Sequence, residues 1–232
     1  MMTEDRAEQL AAIAEKIRTC QLCSLYKQAR NPVPGYGDVN TEILFIGEGP
    51  GEQEDIQGLP FVGRSGQYLD YLLKLIGLDR SQVFITNVVK HRPPGNRDPQ
   101  PDEMEACKPY LDHQIAILDP PVIVTLGRFS MARYFPNAKI SAIHGKPKYA
   151  DDRAYYPLYH PAAALRNPAL RWDMEDDVKR IPEIIAEVKR RRAAAGASDP
   201  SGDAPPDVPE EPAPSPRRDD DDDEIPQQLS LF

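Results

Sequence analysis

The sequence predicts an α/β fold: a central, mainly parallel, four-stranded sheet with helices on both faces. Three observations predict it. Four short apolar runs of strand type recur, at residues 43–46, 83–89, 122–126 and 155–159. Segments with helical spacing separate them, and strands joined through helices pack in parallel with both faces covered. Gly47, Asn87, Gly127 and His160 lie at or just beyond the ends of the runs, at the edge where open α/β sheets hold ligands.

Taken in order, residues 4–18 place Leu10, Ile13, Ala14 and Ile17 on one face of a short amphipathic helix. Cys20-Gln-Leu-Cys23 follows at its end, a common half of a metal site. Residues 31–40 are rich in Pro, Gly and Asn and read as loop. The first strand, Ile43 to Ile46, runs into Gly47-Glu-Gly-Pro-Gly51, a loop that bares backbone N–H groups and lets a ligand come close. Glu52, Glu54 and Asp55 then argue against a phosphate cradle, and no Gly-Lys-Ser/Thr completes a P-loop. The loop suits a planar, neutral ligand with a carboxylate, Glu48, beside it and an aromatic, Phe61, to stack on it. The alternative is an acidic surface turn.

Leu69, Leu72, Leu73 and Ile76 mark the next helix, which Gly77 ends. The second strand carries Asn87 near its carboxyl end. His91 to Pro101 is an exposed loop, and the helix after it carries Met104, Cys107, Tyr110, Leu111 and Ile115. The third strand ends at Gly127 and the fourth at His160-Pro161. Residues 172–191 form a charged helix with Val178, Ile181, Ile185 and Val188 inward, bent at Pro182. Glu48, Asn87 and His160 should therefore meet on one edge of the sheet.

The net charge of −9 belongs to the tail. Residues 193–232 hold eleven acids against two arginines, so residues 1–192 are neutral. Arg64, Lys90, Arg92, Arg97, Arg166 and Arg171 lie near the loops and are candidate phosphate contacts. No apolar run is long enough to span a membrane, and the polar start lacks a signal-peptide core, so a cytoplasmic protein is expected. Three cysteines, an odd number, point to metal rather than disulfides. Cys20, Cys23 and Cys107 with His91 as fourth ligand suit tetrahedral zinc or an iron–sulfur cluster. The plainer reading makes Cys107 a buried apolar residue and His91 a surface base. From Ala193 the composition cannot bury a core and reads as a linker. Its apolar end, Gln228, Leu229, Ser230, Leu231 and Phe232, has the character of a docking peptide.

Five segments together resemble a known family: Gly47-Glu-Gly-Pro-Gly-Glu52, Gly58-Leu-Pro-Phe-Val-Gly-Arg64, Thr86-Asn-Val-Val-Lys90, Arg92-Pro-Pro-Gly-Asn-Arg97 and His160-Pro-Ala-Ala-Ala-Leu-Arg-Asn-Pro168. They are similar, in order, to the motifs of the family 4, iron–sulfur uracil-DNA glycosylases, over residues 8–190. The resemblance implies a three-layer α/β/α sandwich, hydrolysis of uracil from DNA in base excision repair, and a [4Fe–4S] cluster, with zinc the alternative. It implies that Gly47, Glu48 and Gly49 line the uracil pocket, that Phe61 stacks on the base and that Asn87 reads its amide edge. It implies too that His160 faces the carbonyl oxygen that gains charge. Glu48, or Glu54 as a second candidate, steadies the sugar cation or orients water. Leu165 or Arg166 is the candidate wedge for the space a flipped base leaves.

His91 stands where the family has its fourth cluster cysteine. A related uracil-crosslinking branch shares that histidine but adds a basic loop with a second one. Residues 92–106 contain no histidine, so turnover rather than a covalent adduct is expected. A non-catalytic, clamp-tethered DNA-binding adaptor is the remaining alternative. The terminal peptide resembles the sliding-clamp-binding motif. The expected organisation is a catalytic domain over 1–192, a linker over 193–226 and a clamp peptide over 227–232, in a monomer.

Overall fold

The computed structural model describes residues 2–150 and 152–197. In chain order the elements are α1 (Met2–Arg18), β1 (Tyr36–Gly37), β2 (Ile43–Gly47), α2 (Glu52–Gln57), α3 (Arg64–Leu75), β3 (Phe84–Asn87) and α4 (Pro101–Leu118). There follow β4 (Val122–Leu126), α5 (Arg128–Ala132), α6 (Ile140–Ile143), β5 (Lys148–Ala150), β6 (Arg153–Leu158), α7 (Pro161–Arg166), α8 (Leu170–Lys179) and α9 (Ile181–Ala197).

The sheet order is β1-β3-β2-β4-β6-β5. The four expected strands form its parallel centre, in the register Gly47 beside Asn87, Ile46 beside Thr125 and Leu126 beside Leu158. The sheet has six strands rather than four, because β1 and β5 add antiparallel edges. These edges are two and three residues long and carry no apolar alternation to announce them.

Alternation along the central strands builds the three layers. Ile43, Phe45, Val122, Val124, Tyr156 and Leu158 face one core, shared with Leu69, Leu72, Met174, Val178, Ile181 and Val188. Leu44, Ile46, Ile123 and Tyr155 face the other, shared with Leu10, Leu111 and Leu118. Successive side chains point to opposite sides of a strand, so runs apolar at every position demand cover on both faces. Helices α3, α8 and α9 supply one cover, and α1 and α4 the other.

Pro182 does more than bend a helix. It occupies the first turn of α9, where its missing N–H is no loss, and the expected single helix is split between Lys179 and Ile181. Helix α9 continues to Ala197, a few residues into the stretch expected as linker. The rest of that stretch and the clamp-like peptide Gln228–Phe232 lie outside the described residues. Among the described residues no helix is long and apolar enough to cross a membrane.

Candidate active site

The parallel register brings the ends of β2, β3, β4 and β6 to one edge of the sheet. A cavity of about 540 Å³ opens there, lined among others by Glu48, Gly49, Phe61, Asn87, Gly127, Tyr159, His160 and Arg166. The residues expected to meet on one edge of the sheet do so: Glu48, Asn87 and His160 share this cavity, together with Phe61.

Asn87 ends β3 and is 1% exposed. Neither Oδ1 nor Nδ2 has a hydrogen-bond partner. A buried amide left unpaired costs about 1–3 kcal/mol, so a site that keeps one is built to pair it with something that comes and goes. Its backbone is held from beneath. The Lys90 ammonium donates to Asn87 O at 2.8 Å, Thr86 Oγ1 at 2.7 Å and Gln114 Oε1 at 2.7 Å. Lys90 is fully enclosed, and burial lowers its pKa to about 7. It is an internal brace, which corrects its expected role as a phosphate contact.

Phe61 supplies the aromatic wall. Its ring centroid lies 5.6 Å from that of His160, tilted by 32°. A Cβ on Gly47 would come within 2.3 Å of Asn87 Oδ1 and 2.7 Å of the Phe61 ring, so only glycine lets the amide and the ring share this floor. Phe61 also has a left-handed backbone, φ 52°, unusual for an aromatic residue and the kind of strain that gathers at functional sites. Two contacts hold it there. Arg80 Nη2 donates to Phe61 O at 2.7 Å and to Pro60 O at 3.3 Å. Gly66 lies so close that a Cβ on it would meet Phe61 O at 1.7 Å. The sequence singles out neither residue for this task. Replacing Arg80 by Gln should remove about 1–2 kcal/mol of stability. It should raise KM for the ligand of this cavity more than it lowers the single-turnover rate, a split that thermal melting and kinetics would read together.

The two candidate carboxylates separate. Glu54 is buried, and both its oxygens are engaged: Oε2 accepts from Gly51 N at 3.1 Å, and Oε1 from Val62 N at 2.9 Å and Gly63 N at 2.8 Å. It ties the glycine loop to the turn that carries Phe61, and it lines the same cavity as Glu48. Asp55 is similarly committed, accepting from Arg30 N at 2.8 Å. Glu48 remains half-buried on the cavity wall. Burial, then the nearby Asp98, pushes its carboxyl above the usual range, while Arg128 and Arg166 pull it down.

His160 caps α7, its Nδ1 accepting from Ala162 N at 3.1 Å. That bond fixes the tautomer: Nδ1 is the acceptor, so Nε2 carries the proton. Burial, helped by Arg166, lowers the pKa to about 4. The ring is therefore a neutral donor at neutral pH. Of the two candidate wedge residues, Arg166 is exposed and lines the cavity, whereas Leu165 is half-buried on α7. Arg97 is held by Glu103 through two bonds of 2.8 and 2.6 Å, and Arg128 pairs with Asp98 at the rim.

The three cysteines lie near one another. Cys107 is buried with Leu25 and Val89, and Cys23 and Met104 pack against them. The Cys23 and Cys107 thiols interact with one another and with Cys20, and burial pushes both up. Lys90 N–H donates to Cys107 Sγ at 3.4 Å. His91 is buried, with its pKa lowered by burial and Asp55 as its charged neighbour. Among the described residues no three His, Cys, Asp or Glu gather closely enough to surround one ion. Zinc needs its ligands about 2.0–2.3 Å from a single point. A cubane cluster takes each ligand on a separate iron, and three soft donors in an apolar shell fit it better.

The glycine loop after the first strand, the orphaned asparagine after the second and the N-capping histidine after the fourth all lie within the part of the chain that matches a known family. Residues 34–183 match the family model described as the uracil DNA glycosylase superfamily. The chain belongs to that superfamily. Within it, the chain is 48% identical to the type-4 uracil-DNA glycosylase of Sulfurisphaera tokodaii, an alignment covering 79% of this chain and 88% of the relative. It is 46% identical to the type-4 enzyme of Saccharolobus solfataricus, over 77% and 88% of the two chains. A type-5 uracil-DNA glycosylase from Pyrobaculum aerophilum is 29% identical, over 70% and 76%. The superfamily match, over residues 34–183, spans the whole sheet and the cavity-lining residues.

Proposed function

We propose that the cavity receives a uracil flipped out of DNA and that the chain hydrolyses its N-glycosidic bond, the uracil-DNA glycosylase activity of base excision repair. The observation that carries this reading is the Asn87 amide, buried with donor and acceptor both free. Uracil presents a matching edge, N3–H to Oδ1 and O4 to Nδ2. Phe61 lies where a base would stack. As the bond breaks, positive charge grows on the sugar and negative charge on uracil O2. His160, neutral with its proton on Nε2, suits the second charge. Glu48, the carboxylate without a structural duty, suits the first, or the orientation of the attacking water. Free uracil and an alkali-labile abasic site after incubation with uracil-containing oligonucleotides would establish the reaction. A shifted band on a denaturing gel would instead mark the covalent adduct.

The type-4 family generally carries a [4Fe–4S] cluster. Cys20, Cys23, Cys107 and His91 are the residues that would hold it, and bound there it would supply a redox-active centre that pins the loops after α1 and β3. Histidine for cysteine adds positive charge and raises a cluster's potential. His91→Cys should therefore keep a brown, folded protein with a lower potential, read by visible absorbance and a reductive titration. Zinc in both forms by elemental analysis would reject the cluster.

The end of the chain, Gln228–Phe232, suits a sliding-clamp groove on the strength of its sequence. Deleting it should leave uracil release from short oligonucleotides unchanged and abolish clamp pull-down. Clamp binding retained by the deletion would remove this role.

A further inference from the structure

On the α3–α7–α8 side of the cavity mouth, a group of aromatics and arginines extends outward from Arg166 beyond the pocket. Trp172 is 80% exposed. An indole dominates the energetics of any interface that covers it, so leaving one bare on a helix is conspicuous. Tyr71 is 44% exposed and stacks on Tyr68 with ring centroids 5.8 Å apart. The Arg171 guanidinium lies 5.9 Å from the Tyr68 ring. Arg64, Arg166 and Arg171 are all exposed.

This surface begins at the pocket itself. Ser65, next to Arg64, and Arg166 line the cavity, and α3 packs against both α7 and α8. Six residues separate Arg166 from Trp172, a span of at most about 22 Å even if extended. The link is in fact tightly turned, with Leu170 N donating to Asn167 O and Arg171 N to Pro168 O, both at 3.1 Å. The acids of α8, Asp173, Glu175, Asp176 and Asp177, all follow Trp172 in the chain; Asp177 is buried, and Glu175 accepts from the Tyr71 hydroxyl at 3.3 Å. Arg166 and Arg171 precede the tryptophan, on the segment that leads away from the pocket.

We infer that this surface is a stacking strip for the single strand that flanks the flipped nucleotide, with Trp172 as the plate for one base and Arg64, Arg166 and Arg171 along its phosphates. Aromatic plates beside a cationic track hold single strands without regard to sequence. The inference rests on the glycosylase reading. At about 3.4 Å per nucleotide, the plate is within roughly six nucleotides of the pocket.

Trp172 is the one tryptophan of the chain, so intrinsic fluorescence reports this position alone. The full chain is titrated with an end-labelled strand of about 20 nucleotides bearing a non-cleavable 2′-fluorouridine, and with one of about 4, within the range of single-strand site sizes. Quenching should follow the anisotropy of the long strand and be weak with the short one. Trp172→Ala should weaken the long strand about tenfold and leave the short one unmoved, with Trp172→Phe recovering most of the loss. Unquenched fluorescence at saturating anisotropy, or equal affinities of Trp172→Ala and the parent chain for the long strand, would overturn the strip. The two readings fail separately. Quenching without uracil release strikes the glycosylase assignment alone, and release with silent fluorescence strikes the strip alone.

Discussion

His160→Ala is expected to lower the single-turnover rate of uracil release by a factor of about 10² to 10³, the loss seen when one preorganised oxyanion donor is removed. Binding of uracil-containing DNA should be nearly unchanged, because the histidine works hardest as charge develops on O2, not before. The substitution also removes an N-cap, at a cost of about 1 kcal/mol, too little to account for the rate. His160→Gln, which keeps a donor, should recover part of the activity. The pH dependence follows from the same burial. The folded pKa of about 4 lies below the ordinary 6.5, so the ring stays a neutral donor through pH 6.5 and the rate should show no step there from this group. Stability behaves differently. The unfolded chain takes up the proton below pH 6.5 while the folded one refuses it until about pH 4, so this residue makes the fold progressively less stable as pH falls through that window. Equilibrium unfolding at pH 7 and pH 5 should show a smaller difference in His160→Gln than in the parent chain. An unchanged chemical step in His160→Ala would reject the donor role.

Asn87→Asp should cost uracil activity at least about two orders of magnitude, because a site built to hydrogen-bond its ligand rejects a mismatch strongly. It should also release some cytosine. Burial raises the pKa of a carboxyl at this place. Protonated, it would donate to cytosine N3 and accept from the exocyclic amine, a pattern the amide cannot offer. Uracil activity lost with no cytosine gained would mean that Asn87 shapes the cavity without reading the base edge.

Much of this site was legible in the sequence. The four buried strands carry unbroken β-branched and aromatic runs, and a parallel sheet leaves their loops one place to gather. Glu48, Asn87 and His160 follow from that alone, Phe61 from the loop after the first strand, with the motif resemblance supplying their roles. What escaped depends on contacts between distant segments. The hold of Glu54 on the turn that carries Phe61 is one such contact, because nothing local says that Val62 and Gly63 turn their N–H groups toward it. Lys90 looked like a surface cation because charge predicts exposure, and only the chance to brace Asn87 against Gln114 explains its burial. Arg80 sits in an unremarkable turn, and its hold on the Phe61 carbonyl appears only when the chain has folded back. The edge strands β1 and β5 are too short to impose a pattern.

Lys90 has one further implication. Its main-chain nitrogen donates to the sulfur of Cys107, while its ammonium, at the far end of the side chain, donates to the Asn87 carbonyl. The thiol nest and the Asn87 main chain are thus joined through a single residue. If Asn87 reads the base edge as proposed, a disturbance at Cys107 would reach it through Lys90.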